Sequence, residues 1–306
     1  MRAATYPAYS ADLATLDLAE VSEPKVMPGS VLIDVRAAGV NPVDWKVMAG
    51  GLDGLIDAVF PVIPGWDVAG VVTAVGIDTP EFAVGDEVMA YARKDVVSAG
   101  TFADRVAVPV SAVTRKPTSL SWEQAGGLPL AGGTALRTID RLGVQDGDTL
   151  LIHAAAGGVG SLGVQIARAR GVRVIGTASE HNHEFLRGLG AEPVAYGEGL
   201  AERVRALAPD GVDAVADFVG GQLDTTLAVL GDGGRHASIA DGDAEQHGGQ
   251  VIWVRPDGRE TARLSELAEA GALTVEVAQT YGLDEVADAF EASRTGHLRG
   301  KAVIVP

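Results

Sequence analysis

The 306-residue sequence contains no cysteine. That excludes disulfides, thiolate nucleophiles, iron–sulfur ligation and every cysteine-based zinc site. Positive charge is also short: 24 Lys and Arg stand against 41 Asp and Glu, a net charge of −17. A surface this acidic repels phosphate backbones and anionic lipid, so neither nucleic acid nor a membrane is expected as a partner. No run approaches eighteen apolar residues, so no bilayer-spanning segment is expected. The opening stretch, residues 1–18, has no apolar core behind its single arginine and does not read as a secretory signal. The default expectation is a cytoplasmic protein. Neither internal repeats nor a low-complexity tract is present. What is there is length for two domains and a 47% hydrophobic share, enough to bury a large core.

The first third reads as β-structure punctuated by glycine and proline. Residues 31–35, 68–72, 87–91 and 105–108 are short, β-branched runs bounded by turn signals such as Pro28-Gly29 and Val84-Gly85-Asp86. The character changes at Ser121-Trp122-Glu123-Gln124, a capping-box pattern that opens a helical stretch. From Asp148 onward strands and helices alternate. Strands are predicted at 149–153, 172–176, 193–195, 212–218, 235–239 and 251–254, and helices at 161–170, 184–189 and 199–207. This alternation predicts an α/β fold with a doubly wound parallel sheet. The tail then adds an amphipathic helix over 284–294 and a lone strand over 301–305. That strand is expected to return to the first module, making it discontinuous: 1–121 and 269–306 around an inserted 122–268.

The strongest local signal lies at the end of the strand Thr149–His153. There Ala155, Gly157 and Gly160 occupy the three positions of a dinucleotide fingerprint, in the turn Ala156-Gly157-Gly158-Val159-Gly160. Small residues let the backbone approach a pyrophosphate, and the following helix offers free N–H groups and the positive end of its dipole. The end of the next strand chooses between nucleotides. An Asp or Glu there would bond the ribose 2′-hydroxyl and repel a 2′-phosphate. This strand ends instead in Gly176-Thr177-Ala178-Ser179. Ser179 and Asn182 can donate to a phosphate, and Tyr196 lies at the end of the next strand. NADPH is therefore expected over NADH, with Glu180 and the absence of Lys or Arg in this loop counting the other way.

Further segments carry a resemblance along nearly the whole chain: Ala38-Gly39-Val40-Asn41-Pro42-Val43-Asp44-Trp45-Lys46, Pro64-Gly65-Trp66-Asp67-Val68-Ala69-Gly70, Val84-Gly85-Asp86-Glu87-Val88, Gly100-Thr101-Phe102-Ala103-Asp104, Gly133-Thr134-Ala135 and Gly300-Lys301-Ala302-Val303. Together with the glycine turn, they resemble the medium-chain dehydrogenase/reductase superfamily in its zinc-independent quinone oxidoreductase and enone (alkenal) reductase branch. The resemblance implies a GroES-like β-barrel catalytic domain, built from both chain ends, around a Rossmann domain. It implies a homodimer, with 251–254 as a candidate interface strand. It further implies that Thr134 contacts the nicotinamide or its phosphate, and that Val219, Ser238, Ile239 and Arg299 lie beside the nicotinamide half of the cofactor.

In the zinc-dependent branch a cysteine and a histidine hold the catalytic metal. Here Asp44 stands near the cysteine position and Trp66 near the histidine position, which is not a zinc site. Without a metal, the carbonyl oxygen that gains charge needs hydrogen-bond donors. Asn41, Asp44 and Lys46 sit in one short loop after a strand. By the resemblance Lys46 is the donor to the substrate oxygen, Asp44 orients it and Asn41 is a second donor. An exposed Asp44–Lys46 pair with Asn41 satisfying a turn is the plainer alternative.

The expected reaction is hydride transfer to a quinone or an α,β-unsaturated carbonyl, in a cleft between two domains, with water returning the proton. The rivals are reduction of an enoyl thioester in polyketide or fatty-acid chemistry, and a catalytically silent NADPH-binding sensor. His181-Asn182-His183 and residues 241–245 read as solvated loops rather than metal sites. His153 reads as a satisfied strand residue, and no nucleophile-elbow spacing supports a hydrolase.

Overall fold

Strand β1 (Arg2–Thr5) pairs antiparallel with β2 (Asp17–Glu20), and the chain then enters the long β3 (Ser30–Gly39). The computed structural model describes all residues, Met1–Pro306. Nearly every residue of β3 is buried, which is why its sequence runs apolar rather than alternating. Helix α1 (Pro42–Met48) follows, where the sequence suggested a loop. Then come β4 (Ala58–Ile63), β5 (Asp67–Val75), β6 (Glu87–Tyr91), β7 (Val97–Ala99), β8 (Arg105–Pro109), β9 (Val113–Arg115) and helix α2 (Trp122–Gly127). Strands β5 and β8 both pair antiparallel with β3, and β6 links β5 to β9. Gly70 marks the closest approach of β5 to β3: a Cβ there would lie 2.2 Å from the Asp34 carbonyl oxygen. The register shifts beside it, between Val35 and Ala37, as a bulge does.

Helix α3 (Pro129–Leu142) opens the alternating region. It continues with β10 (Thr149–His153), α4 (Gly160–Arg168), β11 (Arg173–Ala178), α5 (His183–Gly188), β12 (Glu192–Ala195), α6 (Leu200–Leu207), β13 (Val212–Asp217), α7 (Leu223–Val229), β14 (Leu230–Ser238) and β15 (Gln250–Val251). These six strands form one parallel sheet in the order β12-β11-β10-β13-β14-β15. The order reverses beside β10, the topological switch point where such sheets bind nucleotides. Val194, Leu200, Val204, Val212, Val215 and Val229 pack with Leu151 and Ile175 into a core under one face of the sheet.

The chain closes with α8 (Gly258–Glu269), β16 (Val277–Tyr281), α9 (Val286–Arg294) and β17 (Lys301–Ile304). Strand β17 pairs antiparallel with β3, Val303 opposite Gly39 and Ile304 opposite Ala38, and parallel with β16. The last strand thus joins the sheet of the first module and completes a GroES-like unit, while the six-stranded parallel sheet is a Rossmann fold.

Two units result, Met1–Leu130 with Arg255–Pro306, and Ala131–Val254. The sequence placed the joins near 121 and 269. They move because α2 packs against β3 and β5, and α8 packs against β9, so both helices belong to the first unit. The strand expected over 251–254 pairs only at Gln250–Val251, because its neighbour β14 ends at Ser238.

Candidate functional site

In the second unit, β10 ends at His153 and the chain bends through Ala154, whose φ is +54°. Thr177 ties that bend to β11: its hydroxyl accepts the Ala154 N–H at 3.0 Å and its carbonyl the Ala155 N–H at 2.9 Å. Helix α4 starts at Gly160. A Cβ there would lie 2.2 Å from the Ala154 carbonyl oxygen, so only glycine lets the helix begin against the strand end. Ala156, Gly157, Gly158 and Val159 form the turn between them. The N–H groups of a first helical turn have no intrahelical partners and lie at the positive end of the dipole. A bare, narrow turn leading into that end fits the pyrophosphate of a dinucleotide.

At the end of β11 no carboxylate follows Ala178. Ser179 comes next, its Oγ 3.0 Å from His181 Nδ1 and receiving a hydrogen bond from Asn182 Nδ2 at 3.3 Å. Asn182 is buried and its Oδ1 has no partner, while Glu180 faces solvent. Tyr196 stands 60% exposed just past β12. The edge is therefore small, hydroxylated and open.

The strand-end residues beyond β13 and β14 divide by use. Ser238 is buried and committed: it donates to Asp217 Oδ2 at 2.8 Å and accepts the N–H groups of Ala240 and Asp241. Its hydroxyl therefore holds the strand end in shape. Asp217 Oδ1 receives the N–H groups of Val219 and Gly220, so this pair shapes the turn that leaves Val219 exposed. Ile239 is half-buried, its N–H on the Asp217 carbonyl. Thr134 is buried in α3. His153 sits beside Thr226, and burial pushes its imidazole down to about 4, so it is a neutral strand residue at pH 7. Thr177 and Asp217 escaped the sequence reading. Their one signal was a polar residue at or next to the C-terminal end of a strand.

In the first unit, Asn41 begins α1, and the Asp44 carboxylate, three residues on, accepts its N–H at 2.8 Å. The Asn41 side chain faces inward. Its Nδ2 donates to Asp67 Oδ2 at 2.9 Å and to the Gly39 carbonyl at 3.3 Å, and its Oδ1 accepts from Lys301 Nζ at 2.5 Å. Lys301 also donates to the Val40 carbonyl, and Asp67 Oδ1 accepts the Leu130 N–H at 2.7 Å. All four side chains of this tetrad are buried, none more than 4% exposed.

Two sequence expectations change here. Asp44 does not orient Lys46, because its carboxylate turns inward to cap α1. Asn41 is not a free donor, because both its amide functions are spent within the tetrad. Arg299 forms an ion pair with Glu276 inside the first unit. Lys46 is exposed on α1, its Nζ 5.5 Å from the Trp45 ring centroid. The Trp45 indole in turn donates to Ser293 Oγ at 3.2 Å, which ties α1 to α9.

The tetrad holds two carboxyls and one amine. Burial raises Asp44 far above the usual carboxylate range, pushes Asp67 up to about 6 and lowers Lys301. Both Asp67 oxygens accept N–H bonds, whereas Asp44 Oδ1 is enclosed without a partner. Asp44 is therefore the carboxyl that keeps a proton at neutral pH, and Asp67 the one that carries charge toward Lys301. The sequence displayed Lys301 as a lone charge in an apolar strand but gave no partner for it.

Residues 27–118 match the alcohol dehydrogenase GroES-like domain and residues 189–304 the zinc-binding dehydrogenase family. The chain is 33% identical over 316 residues to 2-methylene-furan-3-one reductase of Solanum lycopersicum, covering 100% of this chain and 79% of that protein. It is likewise 33% identical over 316 residues to the chloroplastic NADPH-dependent alkenal/one oxidoreductase of Arabidopsis thaliana, covering 100% and 80%. Among solved structures, the quinone oxidoreductase from Coxiella burnetii is similar with a TM-score of 0.88 at 31% identity, covering 100% of this chain and 99% of that one.

The second family's description names zinc, and the donor set here does not fit it. The chain offers no thiolate, Trp66 has no ligating atom, and Asp67 is saturated by N–H donors. No three His, Asp or Glu side chains gather to hold a metal ion. No helix is long and apolar enough to cross a membrane. With 33% identity to curated oxidoreductases along its whole length and both domain matches in order, the chain belongs to the medium-chain dehydrogenase/reductase superfamily, as an oxidoreductase of the quinone oxidoreductase and enone reductase branch.

Proposed function

We propose that the protein uses NADPH to reduce a quinone or an α,β-unsaturated carbonyl without a metal. The observation that carries the NADPH assignment is the end of β11, where Ser179 and buried Asn182 replace the carboxylate that an NADH site would present. The relatives named as furanone, alkenal/one and quinone reductases support the substrate class. When bound, the nicotinamide supplies a hydride from its C4, and the conjugated carbonyl is its own electron sink.

The rest is the work of the chain. The turn Ala156–Gly160 receives the pyrophosphate, and Ser179, Asn182 and Tyr196 receive the 2′-phosphate. Thr134, Val219 and Ile239 contact the nicotinamide half. Lys46 donates to the substrate oxygen as it gains charge. Asn41 and Asp44 act at one remove, by fixing the start of the helix that carries Lys46. Water returns the proton. The protein is cytoplasmic and a homodimer, with exposed Val251 and Trp253 at the β15 edge offering an apolar face to a second copy.

Steady-state oxidation of NADPH and NADH against a naphthoquinone, an alkenal and crotonyl-CoA tests this reading. Turnover of the first two acceptors with NADPH is the expected result. Dominant turnover of crotonyl-CoA would move the substrate class to enoyl thioesters. Tight NADPH binding without turnover of any acceptor would point to a silent binding protein.

A further inference from the structure

The edge beyond β11 must take a phosphate with neither lysine nor arginine in its own loop. It carries two histidines instead, His181 and His183. His181 is exposed, with Nδ1 3.0 Å from Ser179 Oγ, and Asn182 Nδ2 already donates to that same oxygen. A hydroxyl has one proton to give. Against a neutral ring whose Nδ1 accepts, Ser179 spends that proton on His181. Once the ring is protonated, Nδ1 can only donate, the bond reverses and the Ser179 proton is free for an anion. One protonation thus adds a positive charge and releases a donor at the same place.

We propose that His181 sets the preference for a 2′-phosphorylated over an unphosphorylated adenine nucleotide, by reversing its hydrogen bond to Ser179 when it gains a proton. The proposal rests on the reading that this edge receives the adenosine ribose.

The charges around His181 make a single proton count. On its own turn stands Glu180, exposed. Helix α5 brings His183, whose Nε2 is enclosed without a partner, and Glu184, which Arg187 neutralises. From the β12–α6 side come Tyr196, Glu198, Glu202 and Arg203, whose guanidinium is held by the carbonyls of Ala195 and Glu198. Helix α4 brings only Arg168, at its far end on the Val172 carbonyl. Four carboxylates, of Glu180, Glu184, Glu198 and Glu202, thus stand against three arginines, Arg168, Arg187 and Arg203, on this turn and the elements around it. With His181 neutral the edge leans negative and disfavours a phosphate; with His181 charged it is close to balanced.

Calorimetric titration of the whole chain with NADPH and with NADH, from about pH 6 to about pH 8.5, tests the proposal. The ratio of the NADH to the NADPH dissociation constant is expected to fall about tenfold as pH rises, the loss of one charge-assisted bond. The phosphate's own second ionisation, near pH 6, pushes that ratio the other way, so the sign separates the two causes. His181→Gln should give a low ratio that does not fall with pH, and His181→Lys a high one that does not. Ser179→Ala should lower the ratio most at acid pH. A His181→Gln variant that keeps the unsubstituted protein's fall would overturn the proposal. Failure of the unsubstituted protein to bind either nucleotide would instead overturn the nucleotide reading beneath it.

Discussion

The buried tetrad of the first unit and the polar edge beyond β11 in the second use the same kinds of side chain to opposite ends. Asn41, Asp67 and Lys301 spend their polar atoms on one another and on the backbone, out of reach of water. Ser179, His181 and Tyr196 are satisfied by one another in part or not at all, and lie within reach of solvent. Side chains paired with one another in low dielectric hold structure, and breaking the cluster strands a charge. A cluster left open keeps its capacity for a ligand. Substitutions in the first region should therefore be read in stability, and those in the second in binding.

The largest expected effect is from Lys301→Ala, which leaves Asn41 Oδ1 and the Asp67 charge uncompensated. Denaturant unfolding should show a loss of about 3–5 kcal/mol. Lys46→Met separates function from fold. It should lower kcat/KM by about 100- to 1,000-fold, the usual loss for a donor to a developing oxyanion, with an unchanged unfolding midpoint. A fall in stability instead would make Lys46 a structural residue.

Gly160→Ala tests the one place where the open region depends on close packing. The new methyl must displace the Ala154 carbonyl, at a cost of about 1–3 kcal/mol, and nucleotide affinity should fall with it.

A pH series sharpens the contrast further. An unfolded aspartic acid titrates near about 3.9, and Asp44 in the folded chain well above that. Between those values the folded state binds the extra proton. The contribution is therefore full below the unfolded value and lost as pH rises through the folded one. Asp44→Asn should flatten the decline in stability toward alkaline pH. An unaltered slope would mean that Asp44 is ionised throughout. Smallest of all, Ser179→Ala should leave stability within about 0.5 kcal/mol while weakening NADPH.

How much of this was legible in the sequence depended on whether the signal was local. The glycine turn announced itself because strand, small residues and helix follow one another within a dozen positions. The parallel sheet followed from the repetition of such units. Helix α1 was missed as a helix because its seven residues are too few to show a period, and Pro42 at its first turn resembles loop punctuation as much as a helix start. The roles of Asn41 and Asp44 were misread for a related reason. Adjacency in sequence joined Asp44 to Lys46, whereas an α-helix turns positions two apart to different faces. What Asp44 meets is set by Asp67 and Lys301, 23 and 257 positions further on, a distance across which no sequence period reaches. Ser238 shows the same limit: its place at a strand end was legible, and the carboxylate that holds its hydroxyl lies on the neighbouring strand.

The pairing of β17 with β3 has a consequence for how the molecule is made. Lys301 reaches back 260 positions to Asn41, so the sheet begun by the first forty residues stays unfinished until the final strand has been synthesised. The Ala131–Val254 segment holds its whole sheet within itself and can close earlier. During synthesis the nucleotide-binding half would then be complete while the half that bears Lys46 still waited for β17, and trimming that strand would disable a helix encoded far upstream of it.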